Sequence, residues 1–436
     1  MTIAIYILLA SMGWGGAPPD TLQLSLDAAL DRVRTANPAI IAERKSALAT
    51  AQMPKEASRA FLPSLKIEAG GMRTTDPVAV FGTKLWQGNF AETDFALNAL
   101  NDPEAYTDYD VSATVEQPIL SPEGIFGYKA SRKAAAASEA AADRKTEFMV
   151  FQTIQAYWGA ILATERIRLL DAALESARSH ERQARALHEQ GLVTGLDARM
   201  ASVQASAVEA QRIGSVAEAD NARSTLRMLL ALDESTPITL SDSLGGTRLP
   251  ANPPTEAKRQ DLQAAQFALQ AANLNVKRAV GTNLPNIGAF GSVAQHSNDS
   301  PWGAGSGHWT VGVRLTWKPF AGLSGVGAVQ KARAERDARA AQLQAATAQA
   351  TLEQVQAQRN LDAALKQLDV AIRAENEAKT AVGQAEVRYQ TGMSTISELL
   401  DVETAHTEAA LRLLAARYGA VVAEAAVKFA HGVLNQ

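Results

Sequence analysis

Arg185–Met200 reads RALHEQGLVTGLDARM, and some two hundred residues later Val387–Asp401 reads VRYQTGMSTISELLD. Setting Gly191 on Gly392 gives an offset of 201, and the same offset sets Pro118 of QPIL on Pro319 of KPFA. Each glycine-centred turn lies between two proline-free, alanine-rich runs with helical patterning. The pattern predicts a duplicated helical hairpin whose tip is this stretch.

The runs on either side are long. All 16 prolines fall outside residues 123–236 and 320–436. Pro122 to Gln190 as one helix would be on the order of 100 Å long, at ~1.5 Å per residue. Helices are expected over 121–190 and 196–232 in the first half, and over 321–391 and 396–434 in the second. Periodic helices this long imply bundle or coiled-coil packing. Their apolar positions are mostly Ala, which allows close approach but buries little area. A lone hairpin of this composition is marginal, so side-by-side packing of many hairpins, hence an oligomer, is expected.

Upstream of each hairpin the period changes. Leu65–Ala69 (LKIEA) and Val111–Glu116 (VSATVE) alternate apolar with polar, as do, less cleanly, Ile287–Val293 and Thr310–Trp317. Period-two alternation is the strand signature. Strands are expected at 63–73, 109–119, 285–296 and 308–318. Their polar partners include Lys66, Glu68, Glu116 and Arg314, so one face is wet. That fits either a solvent-covered sandwich or a transmembrane strand beside an aqueous lumen. Trp302, Trp309, Trp317 and Phe320 cluster here, as ordinary sheet core or as membrane-interface anchors.

Further upstream, Leu22–Leu26 reads as a short strand and Ser25 as the cap of a helix over 27–35. Asn37-Pro38 starts another over 37–60, with Pro54 bending or interrupting it. The second half reopens at Arg259–Leu262 at an offset of 222. The change from 222 to 201 is a 21-residue surplus in the first half. It lies in the long polar and aromatic connection at 74–108. The first repeat is therefore 18–232 and the second 257–436. Between them 233–256 is a Pro/Gly linker with a short strand expected at Ile238–Leu240, and 1–17 is expected to be a signal peptide on the strength of its apolar core.

Composition narrows the function. The formal charge is −4, with no basic stripe, so no nucleic-acid partner is expected. The 0 cysteines exclude disulfides, thiolate metal sites and a Cys nucleophile. The His residues are scattered; His180 and His188 lie eight apart with no second ligand pair. No Ser/His/Asp order or phosphate loop stands out, and AGLSGVG (321–327) reads as a tight turn. No catalytic residue, cofactor or metal is expected, nor is an enzyme.

Taken together, LSLDAAL with NPAI, LPSL, NLPNIGAFGS, QPILSPEG, KPFAGLSG, YWGAILATERI and EVRYQTGMSTISELLDVETA resemble the TolC family of outer-membrane efflux channels. The resemblance covers nearly the whole chain, carried by the order, duplication and spacing of the motifs. It implies an α+β membrane protein with a duplicated helix–strand–strand–helix–turn–helix repeat. Four strands per subunit would contribute to a trimeric twelve-stranded β-barrel, continued by a long periplasmic α-helical barrel. It implies a homotrimer in outer-membrane lipid whose partners are a periplasmic adaptor and an inner-membrane pump, proton-driven or of ABC type.

By motif, Gly191, Leu192, Val193, Thr194 and Gly195, with Gly392, Met393, Ser394 and Thr395, correspond to adaptor-docking turns. Tyr389 corresponds to the family's gate tyrosine. Glu398 and Asp401, at i and i+3, correspond to its inward acidic pair; a solvated helix face is the alternative. Ser394 stands where some members carry an arginine that locks the gate. The function implied is a passive exit duct for small molecules (drugs, toxic compounds or metal ions). The alternatives are the outer-membrane channel of type I protein secretion and a non-channel coiled-coil envelope protein.

Overall fold

The structure, a computed structural model, describes residues 22–245, 259–303 and 305–434. The expected leader and residues 246–256 of the expected linker lie outside the described residues. In chain order the elements are β1 (Leu22–Leu24), α1 (Leu26–Ala36), α2 (Pro38–Thr50), α3 (Met53–Ala57), β2 (Ser64–Thr74), α4 (Pro77–Trp86), α5 (Leu97–Asn101), β3 (Tyr106–Leu120), α6 (Pro122–Glu189) and α7 (Gly195–Leu229). There follow β4 (Ile238–Leu240), α8 (Gln260–Gly281), β5 (Asn286–Ser297), β6 (Ser306–Thr316), α9 (Ser324–Gln390) and α10 (Ile396–His431). Short 3-10 turns lie at Ser58–Ala60 and Glu92–Phe95.

The helix expected over 37–60 is interrupted beside Pro54, one of the two outcomes expected there: it stops at Thr50 and restarts at Met53. Pro54 has no N–H for the Thr50 carbonyl, and its ring crowds that turn. The connection at 74–108, read as a loop, holds two short helices and a 3-10 turn. Asp76 starts the first of them, its Oδ1 accepting from the amides of Val78 and Ala79 at 3.0 and 2.9 Å, with Pro77 at the first turn.

The chain divides into two compact units. One holds the described residues of 1–45, 142–260 and 347–436; the other holds 46–141 and 261–346.

In the first unit, β1 and β4 pair in parallel, Leu22 opposite Ile238 and Leu24 opposite Leu240. They cover a core of Val33, Ile40, Val150, Ile154, Tyr157, Leu226 and Leu230. Tyr157 is fully buried, and its hydroxyl donates to Asp242 Oδ2 at 2.6 Å. Burial, then the Asp242 carboxylate, pushes the phenol well above its ordinary range. Asn37 joins elements: its Oδ1 caps α2 at the Ala39 amide (2.9 Å) and its Nδ2 donates to the Leu229 carbonyl (2.7 Å). Away from this core the buried positions are mostly small. On this unit's part of α9 the buried hydrophobic residues are Ala350, Ala357 and Ala385, while Leu352, Val355, Val370 and Ile372 stand exposed.

In the second unit, four strands form one antiparallel sheet in the order β2-β3-β5-β6. The register sets Ile67 opposite Ala113, Ala113 opposite Val293, and Val293 opposite Trp309. The pleat therefore gathers Leu65, Ile67, Val111, Val115, Ile287, Val311, Val313 and Leu315 on one face. Lys66, Glu68, Glu116, Ser292, Arg314 and Thr310 fall on the other. On the apolar face of β6, Trp309, Val311, Val313 and Leu315 are 63% to 72% exposed, and Trp317, just past its end, is 57% exposed. Each large apolar side chain left in water forgoes about 1.5–3 kcal/mol of burial. A whole face of them is incompatible with an aqueous sandwich surface and fits lipid.

Candidate functional site: the paired hairpin tips

The two tips are built alike because their backbones need the same turn. Gly191 and Gly392 have φ of +74° and +71°, in the left-handed region. Leu192 N–H donates to the Leu187 carbonyl at 2.9 Å, and Met393 N–H to the Arg388 carbonyl at 2.8 Å. This is the six-residue closure of a Schellman cap. The return helix starts on a threonine in both copies. Thr194 Oγ1 accepts from the Asp197 amide at 3.3 Å while Asp197 Oδ2 accepts from the Thr194 amide at 2.9 Å. Thr395 Oγ1 accepts from the Glu398 amide at 3.3 Å. Gly195, the first residue of α7, lies against the His188 ring. Leu192 and Met393 project into solvent, as does Leu196, while Val193 is half-buried.

The structure separates the three expected gate residues. Tyr389 is half-buried against Ala184, Ala201, Ile396 and Leu400, so it reaches across to the first hairpin. Its hydroxyl is buried without a hydrogen-bond partner, as is Ser394 Oγ. Burial, then the charge of Asp197, raises the phenol. Glu398 is exposed and lies 3.6 Å from Arg388 Nη2 on the preceding helix. Asp401 is exposed one turn on. Among the described residues no hydrogen bond joins Tyr389 to either acid.

Sequence reasoning missed a second link between the repeats. His180 Nε2 of α6 lies 2.7 Å from Glu403 Oε1 of α10, which also accepts from Ser176 Oγ at 2.8 Å. At the next residue of α10, Thr404 Oγ1 accepts from Gln204 Nε2 of α7 at 2.9 Å. The hydrogen bond that His180 donates to the Glu403 carboxylate raises its pKa, against the opposing effect of burial. His180 was singled out in sequence, but its partner lies more than 220 residues away. Only the one-turn spacing to Ser176 is local. Among the described residues no group of three His, Cys, Asp or Glu could hold a metal ion.

The membrane-facing candidates also separate by position. Trp309 stands on the apolar face of β6 and Trp317 lies just past the strand's end, roughly 26 Å away along an extended chain at ~3.3 Å per residue. Trp302 precedes the strand and Phe320 follows it, both exposed. The Trp317 indole donates to the Asn283 carbonyl at 3.2 Å. No helix among the described residues is long and apolar enough to cross a membrane.

The model of the outer membrane efflux protein family matches residues 29–232 and 254–433. The chain belongs to the outer membrane efflux protein family. Its place is the outer membrane, and its fold is that of the family's β-barrel and helical-barrel channels. Among characterised relatives it is similar to the cation efflux system protein CusC of Escherichia coli K12, 31% identical over 175 residues, covering 37% of each chain. The match thus spans little more than a third of that relative. It is also 22% identical over 349 residues to the alkaline protease secretion protein AprF of Pseudomonas aeruginosa, covering 76% of this chain and 71% of that one. Among solved structures, the Campylobacter jejuni CmeC outer membrane channel aligns with a TM-score of 0.82 at 19% identity, covering 94% of this chain and 86% of that one. The outer-membrane channel OprN aligns at 0.79 and 18%, covering 93% and 89%.

Proposed function

We propose that this efflux protein is the outer-membrane exit channel of a tripartite efflux system. As a homotrimer it conducts small molecules passively from an inner-membrane pump, through a periplasmic adaptor, to the outside. The observation that carries this reading is the four-stranded sheet, apolar on one face and charged on the other, with β2 and β6 as free edges. Unpaired edges are not tolerated in lipid, so further copies must close the sheet. Closure turns the face with Lys66, Glu68, Glu116 and Arg314 toward a water-filled lumen, while Trp302, Trp309, Trp317 and Phe320 meet the lipid interface.

The hairpin tips serve docking and gating. Gly191–Gly195 and Gly392–Thr395 present Leu192, Leu196 and Met393 as exposed apolar knobs for the adaptor. Tyr389, Glu398 and Asp401 form the gate. Threefold repetition makes the two acids into stacked carboxylate rings, which attract cations and raise the barrier to anions. The unpartnered hydroxyls of Tyr389 and Ser394 are polar groups that a neighbouring copy would satisfy in the closed state.

Planar-bilayer recording tests the gate. Glu398→Ala/Asp401→Ala is expected to lower cation selectivity and raise conductance; wild-type values for both would remove these residues from the constriction. The similarity to AprF over three-quarters of the chain favours one second reading, a channel for type I protein secretion. Loss of a secreted protein on gene deletion, without sensitivity to small toxic compounds, would select it.

A further inference from the structure

The connection between β2 and β3, residues 75–105, folds as a small body of its own. Phe81, Phe90 and Phe95 meet edge to face at 4.8 and 5.1 Å. Lys84 Nζ lies 2.7 Å from Asp94 Oδ1, and Val80 and Thr83 are buried.

The end of α4 is fastened to the sheet, and its side-chain fastenings lie on the charged, luminal face. Gln87 Nε2 donates to Asp108 Oδ1 at 2.8 Å and to the Thr107 carbonyl at 3.1 Å. Gln87 Oε1 accepts from the Tyr106 hydroxyl at 2.9 Å. The Trp86 ring stacks on His296 with centroids 5.0 Å apart, and His296 Nδ1 lies 2.8 Å from Asp108 Oδ2. The register pairs Glu68 with Ser112 and Asp110 with His296, so Tyr106, Asp108 and His296 share the pleat phase of Lys66 and Glu116. The fastening is close enough to leave Asp108 only 3% and Gln87 only 5% exposed. It sits at the strand ends remote from the junctions with α6, α8 and α9.

We propose that residues 75–105 form a lid over the outer mouth of the channel. Trp86 and Gln87 latch it to Asp108 and His296, and the same segment of neighbouring copies completes it on the axis. The lid rests on the trimeric channel reading above. Twelve strands ~4.8 Å apart, tilted about 40°, enclose a ring roughly 24 Å across between backbones. Three helices about 10 Å wide, touching one another, occupy a circle of about 22 Å. Three such segments therefore fill the mouth. Each carries exposed apolar side chains in a single copy, with Val78 at 83% and Leu97 at 78%. Lying over the lumen of a sheet that only further copies can close, these side chains meet their symmetry mates.

Because the chain has 0 cysteines, single ones report access cleanly. In the full-length trimer on whole cells, Thr310→Cys places a thiol on the luminal face of β6. A bulky, impermeant polyethylene-glycol maleimide is expected to label it about tenfold more slowly with the lid latched than in a Gln87→Ala/Asp108→Ala background. Replacing 77–104 by a short Gly-Ser segment gives a second unlatched form, its assembly verified as a heat-modifiable trimer. Equal labelling rates in latched and lid-replaced trimers overturn the lid. Leu97→Cys is expected to give disulfide-linked pairs of subunits on oxidation; their absence from an assembled trimer overturns closure between copies. A detergent-solubilised monomer would sink the channel reading and the lid together, whereas a freely labelled trimer sinks the lid alone.

Discussion

His180 shows how one side chain can tie the two repeats together. Its imidazolium is stabilised by Glu403 and, more distantly, by the charge of Glu386. A histidine whose folded pKa is raised contributes stability that is fully present below the ordinary value of about 6.5 and is lost as pH rises through the higher folded value. The clamp from α6 to α10 should therefore be tightest in mildly acidic periplasm. His180→Gln is expected to lower the thermal midpoint most below pH ~6.5, with the gap to wild type narrowing as the pH becomes alkaline. A gap independent of pH, read by a melting series across that range, would assign the loss to packing alone. Tyr389 teaches the complementary lesson. In sequence it corresponds to the family's gate tyrosine; within one copy its ring packs on Ala184 and Ala201 of the other hairpin. Nothing local in residues 387–401 encodes that neighbour.

At the scale of elements, the strands and hairpin tips were the most legible parts of the chain. Alternation at Leu65–Ala69 and Thr310–Trp317 predicted both faces, because a pleat assigns faces by parity alone. The tips followed from Gly191 and Gly392, whose positive φ favours glycine. Helix ends were less so. α7 stops at Leu229 rather than 232, with Ala231 at φ 50° taking the place a glycine would mark. α10 stops at His431 where Gly432 adopts φ 74°. The two-faced sheet makes a direct prediction for β6. Val311→Arg, near the strand's middle on the apolar face, is expected to cost about 2–4 kcal/mol, whereas Thr310→Arg on the wet face costs far less. Refolding into lipid vesicles, scored by the heat-modifiable band in denaturant, checks the contrast; equal penalties would contradict the assignment of faces.

For the whole molecule, the alanine seams and the open sheet edges point the same way. A helix such as α9 buries alanines within its own chain and leaves Leu352, Val355, Val370 and Ile372 uncovered. Each exposed Leu, Val or Ile offers about 1.5–3 kcal/mol to whatever neighbour covers it, so assembly supplies what one copy lacks. Val370→Glu/Ile372→Glu is expected to shift the detergent-solubilised protein from trimer toward monomer in light-scattering measurements. An unchanged trimer would place α9's large apolar side chains outside the subunit contact.

By itself the sequence determined the repeat, the two kinds of element and the two faces of the sheet. Those depend on local rules: residue period, glycine at positive φ, proline at the start or break of a helix. The order of strands, the parallel pairing of Leu22–Leu24 with Ile238–Leu240, the clamp of His180 on Glu403 and the docking of Gln87 against Asp108 were decided only by tertiary structure. Each joins residues that no periodicity relates, and burial, not propensity, selects the partner. The tip that opened the reading kept its turn, its cap and its glycine. What it gained in three dimensions was a tyrosine reaching from one repeat to the other.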